Sequence, residues 1–167
     1  MSPDDVEVTT VVAADPATAF AAFTDDVDVW WAHRPRAFRS SLQPRGQMRF
    51  EGGEGGALVE IWDEAAGRRQ ELGRILTWKP GDRLVFEWRP KLFGPSERTE
   101  VDVRFEPVAG GTRVTLVHRG WESIPAGHKV RHDHEGEAFR SMMGLLWADL
   151  LVALGAHLKS ESRRRES

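Results

Sequence analysis

From Gln47 to Arg119 the chain repeats one pattern: short runs in which apolar and polar residues alternate, broken by glycine- or proline-bearing turns. Successive residues of an extended strand point to opposite faces, so runs of this kind settle as strands with one buried and one solvated side. Leu84, Phe86 and Trp88 stand against Val85, Glu87 and Arg89. Val101, Val103 and Phe105 stand against Glu100, Asp102, Arg104 and Glu106. Val114, Leu116 and His118 stand against Arg113, Thr115, Val117 and Arg119. Met48 and Phe50, residues 57–63 and residues 70–78 supply three earlier strands. The stretch Gly52-Gly53-Glu54-Gly55-Gly56, the turn from Ala65 to Gly67, Pro80-Gly81-Asp82 and Gly110-Gly111 reverse the chain between them. Neighbours joined by short turns are antiparallel, and a sheet with one apolar face needs a cover on that side.

The cover is the last element. From about Glu137 to Lys159 the spacing of Phe139, Met142, Met143, Leu146, Leu150, Val152 and Leu154 follows helical period. Little of this helix is polar between 142 and 156, so contact with the sheet alone leaves apolar surface over. A pocket, the N-terminal helices or a second copy of the chain takes the rest, and a homodimer is one expectation. Ahead of the strands, Val6, Val8, Thr10 and Val12 mark a further strand. Asp15-Pro16 opens a helix with Ala19, Phe20, Ala22 and Phe23 inward, since Asp15 can cap free N–H groups and Pro16 loses no needed donor. Asp25 and Asp26 begin a second short helix that ends in Trp30-Trp31 and is closed by Pro35. Residues 32–45 and 90–96 read as loops. One domain is expected over 1–160, with a polar, disordered tail over 161–167.

The sequence contains no cysteine, which removes disulfides and thiolate chemistry and suits a reducing cytoplasm. Net charge is −3 with both signs interspersed, and a nucleic-acid binder would carry a basic stripe. Asp4 and Asp5 stand where a signal peptide would be basic. The apolar stretch Met142 to Ala156 is broken by Asp149 and is shorter than the roughly 18 residues of a membrane span. A cytoplasmic protein without membrane insertion is therefore expected.

Several motifs add to this pattern. They are Ala14-Asp15-Pro16 with Ala19-Phe20-Ala22-Phe23, Trp30-Trp31, Gly55-Gly56, the run Trp78-Lys79-Pro80-Gly81-Asp82-Arg83-Leu84-Val85-Phe86-Glu87-Trp88, and Gly111-Thr112-Arg113-Val114 leading to His118-Arg119-Gly120-Trp121. In this order they resemble the START/Bet v 1-like (SRPBCC) superfamily over nearly the whole chain. More narrowly, they resemble the bacterial branch related to the activator of heat-shock-protein-90 ATPase. The resemblance implies an α+β helix-grip fold, in which a seven-stranded curved antiparallel sheet wraps around a long C-terminal helix. It implies three kinds of activity: binding a small hydrophobic or amphipathic ligand such as a lipid, polyketide cyclase or dehydratase-like catalysis in the same cavity, or a co-chaperone or regulatory interaction.

A ligand cavity between sheet and helix would be lined by Trp30, Trp31, Phe50, Phe86, Trp88, Val103, Leu116, His118, Trp121, Phe139, Met142, Met143 and Leu146. His118 shares the inward face with Val114 and Leu116, where an imidazole could meet a polar ligand atom or move a proton. Its alternative role is a core histidine bonded within the protein. Arg119 and Trp121 are placed near the mouth. Glu60 is ambiguous by alternation, because Leu58 and Trp62 share its face while Val59 and Ile61 share the other. An enzyme would pair His118 with Glu60 or Asp149. Glu87 should face outward. His128, His132 and His134 form no recognised ligand spacing and read as loop residues. Neither a metal nor a cofactor is expected.

Overall fold

The computed structural model describes residues 2–31, 46–89, 93–131 and 134–167. The expected loop over 32–45 with Pro35, residues 90–92 of the second loop, and His132 lie outside them. The elements are β1 (Val6–Val12), α1 (Pro16–Asp25), α2 (Val27–Trp31), β2 (Gln47–Glu51), β3 (Ala57–Asp63), β4 (Arg68–Lys79), β5 (Arg83–Trp88), β6 (Thr99–Val108), β7 (Gly111–Arg119) and α3 (Gly136–Glu166). Asp15 caps α1 by accepting from the Thr18 N–H at 2.8 Å, and Pro16 occupies the first turn. That N–H holds the Asp15 carboxyl below its ordinary value.

The strands form one curved antiparallel sheet in the order β1-β7-β6-β5-β4-β3-β2. Consecutive hairpins account for β2 through β7. β1 closes the other edge by pairing with β7, from Val6↔His118 to Val12↔Thr112. This is the helix-grip fold. α3 lies along β1: a Cβ built on Gly144 would meet Val6, and one on Gly155 would meet Val12.

α3 buries Phe139, Met143, Trp147, Leu150, Leu151, Leu154 and Leu158 against the concave side of the sheet and the N-terminal helices. By length and hydropathy this helix would pass for a membrane span, but these residues belong to the protein's own core. Two details differ from expectation. Val152 is 65% exposed and Leu145 73% exposed, because the buried series steps four or three residues at a time from Phe139 and both fall on the opposite side. The polar segment after Ser160 stays helical as far as Glu166. Extending an existing helix needs no new nucleus, and Glu161 pairs with Arg164 one turn on at 3.2 Å.

The convex side carries a ladder of charges. Asp102 on β6 accepts two bonds from Arg83 on β5, at 3.1 and 2.7 Å, and one from Arg119 on β7 at 3.0 Å. Burial alone would raise the Asp102 carboxyl, but the two guanidinium groups outweigh it and hold it below the usual value. Glu87 points to this side, as alternation requires. It is nonetheless buried, with Arg98 at 3.8 Å.

Candidate functional site

The rings expected to line a cavity meet one another. Trp31 stacks on Trp88 with centroids 5.6 Å apart and meets Trp147 edge-on at 5.4 Å. Phe50 packs on Phe86 at 5.2 Å, Trp30 on Phe23 at 4.8 Å and Trp121 on Phe139 at 4.9 Å. Val103, Leu116 and Met143 are buried in the same cluster, while Phe50, Met142 and Leu146 are partly buried at its margin.

His118 points inward, as alternation predicts, and is fully buried. Both its nitrogens are taken by the protein. The Trp147 indole N–H donates to Nδ1 at 3.0 Å, and Nε2 lies 2.8 Å from Thr99 Oγ1. The Thr99 hydroxyl in turn donates to the Trp88 carbonyl at 2.8 Å. An acceptor role for Nδ1 puts the proton on Nε2, and the chain of bonds runs Trp147 to His118 to Thr99 to Trp88. Burial lowers the imidazole pKa to about 3, so the ring is neutral at physiological pH. This is a structural histidine with no nitrogen left for a ligand.

The two acid–base pairings expected of His118 are not formed. Asp149 lies on the exposed side of α3. Glu60 sits on β3, four places from β7 in the sheet order, and the His118 nitrogens meet Trp147 and Thr99 instead. Arg119 is also away from any inner mouth, since it serves the convex ladder through Asp102 and Glu100.

A different polar group gathers at one end of the concave face. β4 has 12 residues and β5 has six, so the first half of β4 outruns its neighbour. The Arg89 N–H to Leu72 carbonyl bond, 2.6 Å, is the last backbone link among the described residues before the strands part. There a groove of about 430 Å³ opens, lined by Gln70, Leu72, Gly73 and Phe93 and by the charged residues Glu71, Arg74, Glu87 and Arg89. Phe93 leans on Trp121 at 6.3 Å and on His128 at 5.8 Å. The His128 ring also accepts from the Val130 N–H and sits 3.7 Å from Glu97.

Glu60 is the direct cross-strand partner of both Met48 and Gln70. Its side chain is fully buried on the inner face, which resolves the ambiguity of its alternation. Oε2 accepts from the Gly46 N–H at 3.0 Å, while Oε1 has no partner. Gln70 Oε1 and the Trp121 indole nitrogen are likewise buried and unpartnered. Buried polar atoms normally find a partner, so each of these needs an explanation. Sequence reading did not single out Gln70, Thr99 or Trp147. The four-residue steps Phe139, Met143, Trp147 and Leu151 were the available signal for Trp147.

A family model described as activator of Hsp90 ATPase homolog 1-like protein matches residues 13–146. Among solved structures, a protein from Nitrosomonas europaea aligns with a TM-score of 0.65 at 17% identity over 98% of this chain and 99% of that one. A Rhodobacter sphaeroides protein gives 0.62 at 22% identity over 95% of each chain. The Aha1 dimer from Colwellia psychrerythraea gives 0.61 at 18% identity over 90% of this chain and 92% of that one. At these identities the likeness is one of fold. No curated protein matches the chain.

Proposed function

The chain belongs to the activator of Hsp90 ATPase homolog 1-like family, and on that premise we propose that it binds a small amphipathic molecule where β4 and β5 part. The observation that carries this reading is a groove of about 430 Å³ with Gln70, Leu72 and Phe93 in its lining, beside buried, unpartnered polar atoms on Gln70 and on Trp121, whose ring packs against Phe93. Leaving such atoms unpaired costs roughly 1–3 kcal/mol each. A ligand that completes their hydrogen bonds recovers that cost on binding. Small-molecule sites commonly combine a volume of this order with a few convergent polar groups and apolar walls. Leu72 and Phe93 supply the apolar part of the walls.

Catalysis of the cyclase or dehydratase kind draws less support, because both nitrogens of His118 are occupied within the protein and Asp149 lies on the exposed side of α3. The binding reading is tested by titrating the labelled protein with medium-chain alcohols, amines, carboxylates and aromatic acids while recording amide and indole resonances. The Trp121 indole N–H and the Gln70 side-chain amide should shift with at least one class, ahead of the Trp147 indole. A panel that leaves Trp121 and Gln70 unmoved would overturn the proposal.

A further inference from the structure

We propose that the free edge of β1 accepts an extended peptide segment of a partner protein. The segment adds to the sheet as a further strand beside Glu7, Thr9 and Val11 and lies beneath Leu145 and Val152 of α3. This surface is separate from the groove at β4, and neither reading depends on the other.

β1 is an edge strand, bonded only to β7. The Val12 carbonyl points at β7, since a Cβ on Gly111 would stand 2.0 Å from its oxygen. In an antiparallel pair, successive residues turn their N–H and C=O alternately toward the partner and away from it. Val6, Val8, Thr10 and Val12 therefore bond to β7, and Glu7, Thr9 and Val11 direct their backbone groups outward. Among the described residues nothing else bonds to these groups, so they face solvent. Long edges are commonly blunted by proline, lysine or a bulge. β1 reads Val-Glu-Val-Thr-Thr-Val-Val, keeps an unbroken register with β7 and has Glu7 as its one charge.

The side of α3 next to this edge offers apolar contacts. Gly144 and Gly155 seat α3 over Val6 and Val12. Roughly a quarter turn round the helix to one side stand Met143, Trp147, Leu150 and Leu154, which enter the core, and a similar step to the other side brings Leu145 and Val152. These two therefore project outboard of β1, 73% and 65% exposed. Val8 and Thr10, directed to the concave side beneath α3, also stay partly exposed. An added strand would turn alternate side chains up toward Leu145 and Val152 and the rest toward the exposed side chains of Glu7, Thr9 and Val11.

Outward N–H and C=O groups in regular alternation are matched by another extended backbone. A second folded copy of this chain does not fit. Paired strands lie about 4.7–4.9 Å apart, whereas packed helices need about 8–10 Å. Joining β1 to β1 would drive two α3 helices, each seated over its own strand, into one space. An unfolded segment brings no helix with it. Glu7 makes no ion pair among the described residues, so a basic residue opposite it completes the match.

The probe is the capped peptide Ser-Thr-Val-Thr-Val-Lys-Ser, titrated into the labelled protein. Aligned antiparallel, it sets the lysine against Glu7, the middle threonine against Thr9 and the valines against Val8 and Thr10. The Glu7, Thr9 and Val11 amides should shift and exchange more slowly with solvent. N-methylation of the two threonines removes donors aimed at β1 and should weaken binding about tenfold or more. N-methylation of the two valines, whose N–H groups point away, should cost less than about threefold. Thr9→Pro deletes an outward donor on an edge, where proline is tolerated, so it should fold and also bind about tenfold or more weakly. Serine at both Leu145 and Val152 should weaken binding about threefold or more.

Equal losses from the two methylated peptides would overturn the proposal, as would protection that never reaches Glu7, Thr9 and Val11. A concentration-dependent dimer abolished by Thr9→Pro would overturn it too, by giving the edge to a second copy. The methylated peptides decide the matter on the wild-type chain even if the variants do not fold.

Discussion

At the scale of single residues, the concave face treats two titratable groups in opposite ways. His118 has every hydrogen-bonding atom matched, whereas Glu60 keeps one oxygen bare. The matched group makes a stability prediction. Unfolded, an imidazole takes a proton near pH 6.5, while the folded protein keeps His118 neutral to about pH 3. Below pH 6.5 the unfolded chain therefore binds a proton that the native state does not, and stability falls with pH until about 3. Between pH 6.5 and 4.5 this amounts to about 2–3 kcal/mol. His118→Leu should lose about 2–4 kcal/mol at pH 7.5, because the Trp147 N–H and the Thr99 hydroxyl lose their partner. It should then lose about 2–3 kcal/mol less than wild type on going to pH 4.5. Paired urea titrations check this, and equal acid losses in the two proteins would refute it; Asp102 titrates alike in both. That His118 faces inward was legible from alternation. Its role was not, because its partners come from 19 and 29 residues away and no local pattern encodes them.

At the scale of elements, alternation and turn chemistry identified the strands, and Asp15-Pro16 marked the start of α1, because these signals act within a few residues. The pairing of β1 with β7 carries no local signal and entered through the resemblance. Unequal strand length was equally hidden: the parting of β4 from β5 that opens the groove depends on where each hydrogen-bond ladder ends. One residue at that junction is open to test. A Cβ on Gly73 would stand 1.6 Å from the Glu87 carbonyl oxygen, so the β4 and β5 backbones approach in a way that glycine alone permits. Gly73→Ala should force the strands apart and cost about 1–3 kcal/mol, read as a lower urea midpoint. It should also broaden the Gln70 and Phe93 resonances next to the groove. An unchanged midpoint would mean that the backbones accommodate the methyl, and that the close approach is not what shapes this end.

At the scale of the whole molecule, the aromatic set was legible as a group while its use was not. Composition placed seven Trp and eight Phe in the chain, but rings that line a cavity and rings that fill one leave the same sequence signal. Trp31 shows the difference. It is fully buried at the end of α2, stacked on Trp88 of the sheet and edge-on to Trp147 of α3. One side chain thus ties all three layers together, and Trp147 passes the contact on to His118. Deleting it should be felt across the molecule. Trp31→Ala should cost about 3–5 kcal/mol, the loss expected when a large ring leaves a cavity that its neighbours cannot close. The hollow would be bounded by Trp88, Trp147 and Trp30, an apolar space of the kind that stays dry and admits small aromatic molecules. Millimolar indole should therefore raise the melting temperature of Trp31→Ala while leaving wild type unchanged, since a ligand that binds only the native state stabilises it by mass action. If indole stabilised wild type equally, the interior would already hold an accessible apolar space, and the ligand's tail would belong under α3 rather than along the groove at the end of β4.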